Sequence, residues 1–329
     1  MEAAELLRVL VELAVASGVA IVLVLLLRAP LRRRFGAAAG YGAWWLVPVS
    51  MVAVLLPAAP ATSPGVSMVL AIGNAVPQAL AAGAVDGGGG APAWLVVWLS
   101  GTVVMALAFA RRQRRFRRAL GRLQPRGDGL LQAAGRGGLP ATVGLFPPRI
   151  VVPVDFDRAY SDEQRRLMLA HERCHVRHGD LQANAAVLAL RSVFWFNPLV
   201  HLAARHFRHD QELACDQRVV ARHPHARRAY GEAMFKAQLA AQPLPLGCHW
   251  GYGHPLKERI AMLRQPAPTR SRRLGGILAV VALGLATGYG AWAAQPASQP
   301  VLVVSPAGHM PPPPPPPAAP EPPPAPPAP

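Results

Sequence analysis

His171 and His175 stand four residues apart in Ala170-His-Glu-Arg-Cys-His175. On a helix both imidazoles leave one face and can hold one metal ion between them. Glu172 follows the first histidine directly, swung by roughly 100° around the helix axis, where it can take a proton from water activated at the metal. Two imidazoles beside a carboxylate are what metal-assisted hydrolysis of a peptide bond needs: the metal polarises the carbonyl and the carboxylate works as general base. Zinc is the ion such a set implies, with a third protein ligand and a fourth position left open. Glu212, in His209-Asp-Gln-Glu-Leu-Ala-Cys-Asp216, offers the third donor. Asp216, one helical turn on, would stand behind a ligand imidazole and orient it. The oxyanion that develops on the carbonyl also needs a donor, and Tyr230 and His223 are the candidates.

Other readings of the same residues stay open. His178, His206 and His209 are near enough in sequence to close the site with a fourth ligand, which would make the metal structural. Glu172 argues against that, since a closed site has no use for a base. Cys174 and Cys215 fall inside the two metal segments and suggest thiolate ligands, although buried free cysteine is the commoner fate. With Cys248 they make three, an odd number that argues against a disulfide framework and fits a reducing compartment.

The elements that must position these groups are marked locally. Ser161-Asp-Glu-Gln164 is a capping box, so the metal helix starts there, and Gly179 is its stop. Leu181 to Phe196 reads as an apolar helix. Asn197-Pro198 then opens the helix that carries Glu212 and Asp216, with Asn as cap and Pro at its first position. Shorter helices follow around Tyr230 and at His254 to Ile260. Ahead of them, Ala141 to Gly144 and Arg149 to Val152 read as two short strands joined by Phe146-Pro147-Pro148. One of the two is a candidate edge to hold an extended substrate by strand addition.

The wider chain is apolar in blocks. It has 329 residues, 52% of them hydrophobic, and a net charge of +17. The arginines cluster beside the apolar blocks, as the positive-inside rule predicts for membrane spans. No nucleic-acid module accompanies the charge, so direct nucleic-acid binding is not expected. Expected spans are about 6–27, 41–58 and 94–110, with an Ala/Gly-rich external loop at 59–93, and a fourth at 274–294. Val66 to Val85 is apolar enough to raise a further crossing, but the charge pattern argues against it. The first block is expected to be a retained anchor, with Arg8 and Glu12 paired at i, i+4. Arg28, Arg32, Arg33 and Arg34 should mark a turn, and Trp44 and Trp45 should anchor the second span at the interface. A polar domain at 111–273 then lies in the cytoplasm and both termini outside. Residues 295–329, with seven consecutive prolines from Pro311 to Pro317, form an extended polyproline tail.

Several pieces together resemble one family. They are Leu139-Pro140-Ala141 with Val143 to Phe146 and Pro148 to Val151, Ala170 to His175, Trp195 to Leu199, Glu212 to Asp216, and Leu256-Lys-Glu-Arg259-Ile260. In order and spacing they are similar to the BlaR/MecR-type membrane zinc metallopeptidases, relatives of the signal transducers of beta-lactam resistance. The resemblance implies a mainly α fold: four transmembrane helices, with a cytoplasmic zincin-like (gluzincin) domain containing a short β element inserted between the third and fourth. It implies zinc on His171, His175 and Glu212, Glu172 as catalytic base and Asp216 behind them. It also implies cleavage of a cytoplasmic protein, typically a small winged-helix repressor. The best-known members carry a penicillin-binding sensor domain after the fourth span; the roughly thirty-five residues that follow it here are too few for one, so beta-lactam sensing is not expected. The alternative is a non-catalytic membrane scaffold with a structural zinc. A periplasmic partner of the Pro-rich tail and a dimer complete the expected interactions, beside the lipid bilayer.

Overall fold

The computed structural model describes residues 3–57, 90–135, 139–240 and 254–295. Most of the expected external loop, Val66 to Val85 within it, Cys248 and the Pro-rich tail lie outside these residues. The described chain is mainly helical, with one small sheet. Among the described residues four helical stretches are long and apolar enough to cross a membrane: Glu5–Phe35, Ala37–Val54, Pro92–Leu120 and Arg270–Ala293.

Helix α1 (Ala3–Phe35) outruns its apolar block, and Arg8 and Glu12 pair on it at 2.8 Å. The arginines from 28 to 34 do not mark a turn; they form its last turns, because Arg and Leu favour helix. The reversal comes one residue later at Gly36, whose φ of 101° is open to glycine and strained for other residues. The second stretch is not one regular helix but α2 (Ala37–Gly42), a 3₁₀ turn (Ala43–Trp45) and α3 (Leu46–Val54). Trp45 is exposed, whereas Trp44 is buried and donates its indole N–H to Asp210 at 2.9 Å. Trp44 is therefore no interfacial anchor: a tertiary hydrogen bond and packing on Phe207 hold it inside.

Helix α4 (Gly90–Leu120) runs on through the arginines from 111 to 118. Its Trp94, Val96, Leu99 and Val104 face outward, as lipid-facing residues do. It docks through two indoles: Trp98 donates to the Val193 carbonyl at 2.8 Å and Trp195 to the Trp98 carbonyl at 3.2 Å. The Trp195 ring lies over Gly101, where any Cβ would overlap it.

Four strands follow: β1 (Leu123–Pro125), β2 (Leu131–Ala133), β3 (Ala141–Val143) and β4 (Arg149–Pro153), in the order β1-β2-β4-β3. The β3–β4 hairpin is antiparallel, with Ala141 opposite Val151; β2 joins β4 in parallel and β1 joins β2 antiparallel. Strands β1 and β2 escaped the sequence reading; β3 is as short but was marked by the Phe146-Pro147-Pro148 turn that joins it to β4.

Helices α5 (Phe156–Ala159), α6 (Asp162–His178), α7 (Asp180–Val193), α8 (Pro198–Arg222), α9 (Arg227–Ala240), α10 (His254–Leu263) and α11 (Arg270–Ala293) complete the described chain. Both arms of the Ser161–Gln164 capping box form, and Gly179 ends α6 in the left-handed region. Asn197 caps α8, accepting from the Leu199 N–H at 2.9 Å.

Three cores fix these parts. Ile21, Val24, Trp44 and Leu46 pack with Phe194, Val200 and Phe207, so the first two candidate spans share one interior with α8. Ile150 and Val152 of the sheet pack on Phe156, Tyr160 and Met168. Leu167, Val219, Tyr230, Met234 and Leu263 tie α6, α8, α9 and α10 together. The spans are also locked to α8 by charge. The buried Asp210 carboxylate takes Arg28 at 3.0 Å and Arg32 at 3.2 Å as well as the Trp44 indole.

Candidate active site

Helix α6 brings His171 and His175 to one face with their Nε2 atoms 3.0 Å apart. Helix α8 places Glu212 against both: Oε2 lies 3.3 Å from His171 Nε2 and Oε1 3.6 Å from His175 Nε2. Ligands about 2.0 Å from a tetrahedral zinc are about 3.3 Å apart, close to the His171–His175 and His171–Glu212 Oε2 separations, while the second Glu212 oxygen turns to His175. Glu212 Oε2 is buried and lies 2.8 Å from Arg259 Nη1, a pairing that keeps the carboxylate ionised, as a metal ligand must be. The three side chains fit zinc.

Each imidazole is held from behind. Asp216 Oδ1 stands 3.2 Å from His171 Nδ1, and the Tyr230 hydroxyl donates to that oxygen at 2.8 Å while meeting His171 Nδ1 at 2.8 Å. His175 Nδ1 lies 2.6 Å from Asp180 Oδ2. A carboxylate can only accept, so both Nδ1 atoms carry a proton and both Nε2 atoms face the metal position. Arg259 of α10 closes the back of the site. Its Nε and Nη2 donate to Asp216 at 2.6 and 2.8 Å, and its Nη1 pairs with Glu212 at 2.8 Å.

The charges follow from burial and these partners. Burial opposes the charged forms of Glu212 and Asp216, but Arg259 and the histidines outweigh it and hold both well below the usual carboxylate range. Burial likewise pulls His171 down, yet Asp216 and Glu212 raise it to about 10, so a metal would displace a proton from its Nε2. Glu172 is the exception: burial dominates and lifts it above the usual range, toward the region where a general base works at neutral pH. Its carboxylate is aimed by Thr142 of β3, whose hydroxyl donates to Oε2 at 2.8 Å.

The remaining candidates fall elsewhere. The Tyr230 hydroxyl is engaged behind His171, donating to Asp216 Oδ1 and meeting His171 Nδ1. His223 is exposed at the C-terminal end of α8, about 10 Å along the helix from Asp216, and so is set apart. His178 bonds the Cys174 carbonyl at 2.8 Å and His209 bonds Glu258 at 2.7 Å. Cys174 and Cys215 are buried and free. Cys215 stands 3.5 Å from His175 Nδ1, on the nitrogen that donates to Asp180. The group His175, Asp180 and Cys215 is thus a hydrogen-bonded cluster, since 2.6 Å is a charge-assisted hydrogen bond and too short for two ligands of one ion. Asp180, Thr142 and Arg259 were missed as site residues. Asp180 carried one local signal, its place five residues after His175.

A family model described as BlaR1 peptidase M56 matches residues 8–263. The chain belongs to the BlaR1 peptidase M56 family. The match of this M56 chain takes in α1 and α2 as well as the metal helices, in keeping with their shared core. Among curated relatives, the Methicillin resistance mecR1 protein of Staphylococcus aureus (strain Mu50 / ATCC 700699) is 29% identical over 151 residues, 41% of this chain and 25% of that protein. The protein of the same name from Staphylococcus epidermidis gives the same figures. The Regulatory protein BlaR1 of Bacillus licheniformis is 34% identical over 77 residues, 23% of this chain and 13% of that protein. The chain spans about a quarter or less of the length of these relatives.

Proposed function

We propose that this M56 peptidase is an integral-membrane zinc endopeptidase that cuts a cytoplasmic protein. The observation that carries the reading is the set His171, His175 and Glu212 close to the edge lengths of a zinc tetrahedron, with the buried Glu172 carboxylate on the adjoining helix position. When bound, zinc supplies Lewis acidity to the carbonyl and to water. His171, His175 and Glu212 would hold it, with Asp216, Asp180 and Arg259 fixing their orientation and charge. Glu172, aimed by Thr142, takes a proton from the attacking water and passes it to the leaving amine. Strand β3 is an edge of its sheet beside Glu172, and an extended substrate would add there as a further strand.

The arginines that end α1 and α4 and begin α11 support a cytoplasmic face for residues 111–273 and an outer one for both termini. Arg272 of α11 donates to the Arg34 carbonyl at 2.7 Å and the Arg33 carbonyl at 3.1 Å, so two of the three clusters adjoin. One relative is named a regulatory protein, in keeping with a regulator as substrate; the substrate we propose is a small winged-helix transcriptional repressor.

Zinc content and cleavage of such a repressor, wild type beside Glu172→Gln in detergent, test the reading. One zinc in each and cutting by the wild type alone is the expected result. A wild type without zinc, or a variant that cuts as fast, would overturn it. Loss of zinc in His178→Ala or His209→Ala as complete as in His171→Ala would show a closed site and favour the scaffold.

A further inference from the structure

The two ligand imidazoles are backed by the same pair of residue types. Behind His171 stand Asp216 and Tyr230. Behind His175 stand Asp180 and a tyrosine from the second candidate span: the Tyr41 hydroxyl of α2 donates to Asp180 Oδ1 at 3.0 Å, while Asp180 Oδ2 takes the His175 Nδ1 proton. The phenol is itself held. Gln211 Nε2 donates to its oxygen at 3.1 Å, Asn184 Nδ2 donates to Gln211 Oε1 at 3.1 Å, and the ring leans on Phe207 at 5.4 Å between centroids. With its lone pair occupied by Gln211, the phenol has its proton free for Asp180 alone.

We propose that Tyr41 is a positioning residue for the metal ligand His175, so that the second candidate span supplies part of the support of the metal site. The inference rests on the metal-site reading above. An aspartate held by one oxygen can rotate about its Cβ–Cγ bond; held by both, it fixes the plane in which the imidazole must lie. Asp180 and Gln211 are buried, so no bulk water replaces the phenol if it is lost. Three consecutive residues of α8 then divide the work. Asp210 takes the arginines of α1 and the Trp44 indole, Gln211 holds Tyr41, and Glu212 faces the metal.

The link has a built-in control. Trp44 and Tyr41 both tie the second span to α8, but only Tyr41 continues to a ligand. The probe is Co²⁺ alone, titrated into the metal-free full-length protein in nanodiscs, with affinity from chelator competition and geometry from the visible absorption of the bound ion. Tyr41→Phe keeps the ring and removes the donor; it is expected to weaken Co²⁺ binding about tenfold and to shift the absorption. Trp44→Phe is expected to lower the melting temperature and leave Co²⁺ binding as in the wild type. Asp180→Asn is expected to weaken binding at least as much, and adding Tyr41→Phe to it to change little, because the phenol acts through that carboxylate. Wild-type affinity and spectrum in Tyr41→Phe would overturn the inference, as would an equal loss in Trp44→Phe. Should Tyr41→Phe not fold, Gln211→Met, which releases the phenol oxygen, carries the same expectation and the same refutation. A wild type that binds no Co²⁺ sinks the metal-site reading and this inference with it. A wild type that binds while Tyr41→Phe is indifferent sinks this inference alone.

Discussion

Arg259→Met leaves the buried Asp216 carboxylate and the partly buried Glu212 without this cation. Arg259 is 3% exposed and Asp216 0%, and the guanidinium makes two hydrogen bonds to Asp216 and an ion pair to Glu212. Methionine fills most of the space, so the cost is electrostatic rather than a cavity. Removing one partner of a buried, hydrogen-bonded ion pair costs about 3–5 kcal/mol, because the remaining charge stays desolvated. In a chain with this much described structure each kcal/mol moves the melting temperature by roughly 2–4 °C. The metal-free variant should therefore melt on the order of 10 °C below wild type. Arg259→Lys keeps the charge but loses the planar fork and should fall in between. Thermal unfolding followed by tryptophan fluorescence in detergent reads the difference. A drop under about 3 °C in Arg259→Met would refute the reasoning, since it would mean that Asp216 and Glu212 are stable in the interior without the arginine.

Thr142→Val removes the hydroxyl that holds Glu172 and should lower kcat about tenfold or more, the worth of a hydrogen bond to a charged group, with zinc content unchanged. Because that bond also holds the Glu172 pKa down, the acid limb of the pH–rate profile should move to higher pH. An unmoved limb would show that Thr142 does not set the base. Gly101→Ala forces a methyl into the Trp195 indole and should cost about 1–3 kcal/mol by overpacking; an unchanged melting curve would mean that α4 does not dock through Trp195. Asp157 is held below the usual carboxylate range by Arg126 first and by Arg165. Its stabilisation is full above the unfolded carboxylate pKa and is lost as pH falls through the lower folded value. Asp157→Asn should therefore flatten the loss of stability below about pH 4, by less than about 1 kcal/mol because the side chain is half exposed; melts at pH 3 to 6 that superimpose on wild type would show the pairs to be worth nothing.

Much of this protein was legible where the physics is local. The capping box at Ser161 and the glycine stop at Gly179 set the ends of α6 by backbone hydrogen bonding within four residues. The i, i+4 spacing then puts His171 and His175 on one face whatever surrounds them. Asn197-Pro198 marked α8 in the same way, and the apolar blocks with their arginine flanks marked the four stretches long and apolar enough to cross a membrane. The rest was decided in three dimensions. That Arg259 neutralises Asp216 and Glu212, that Thr142 aims Glu172, and that Tyr230 stands behind His171 all depend on residues thirty or more positions apart. Trp44 shows the limit most plainly. By composition it belonged at a membrane interface, but α8 offers it Asp210, and a buried indole N–H with a carboxylate partner is more stable than one left half in lipid. Spacing along the chain fixes which groups share a helix face. Only the packing of one helix on another fixes which donor meets which acceptor, because that choice is made by desolvation and shape between segments that the sequence keeps far apart.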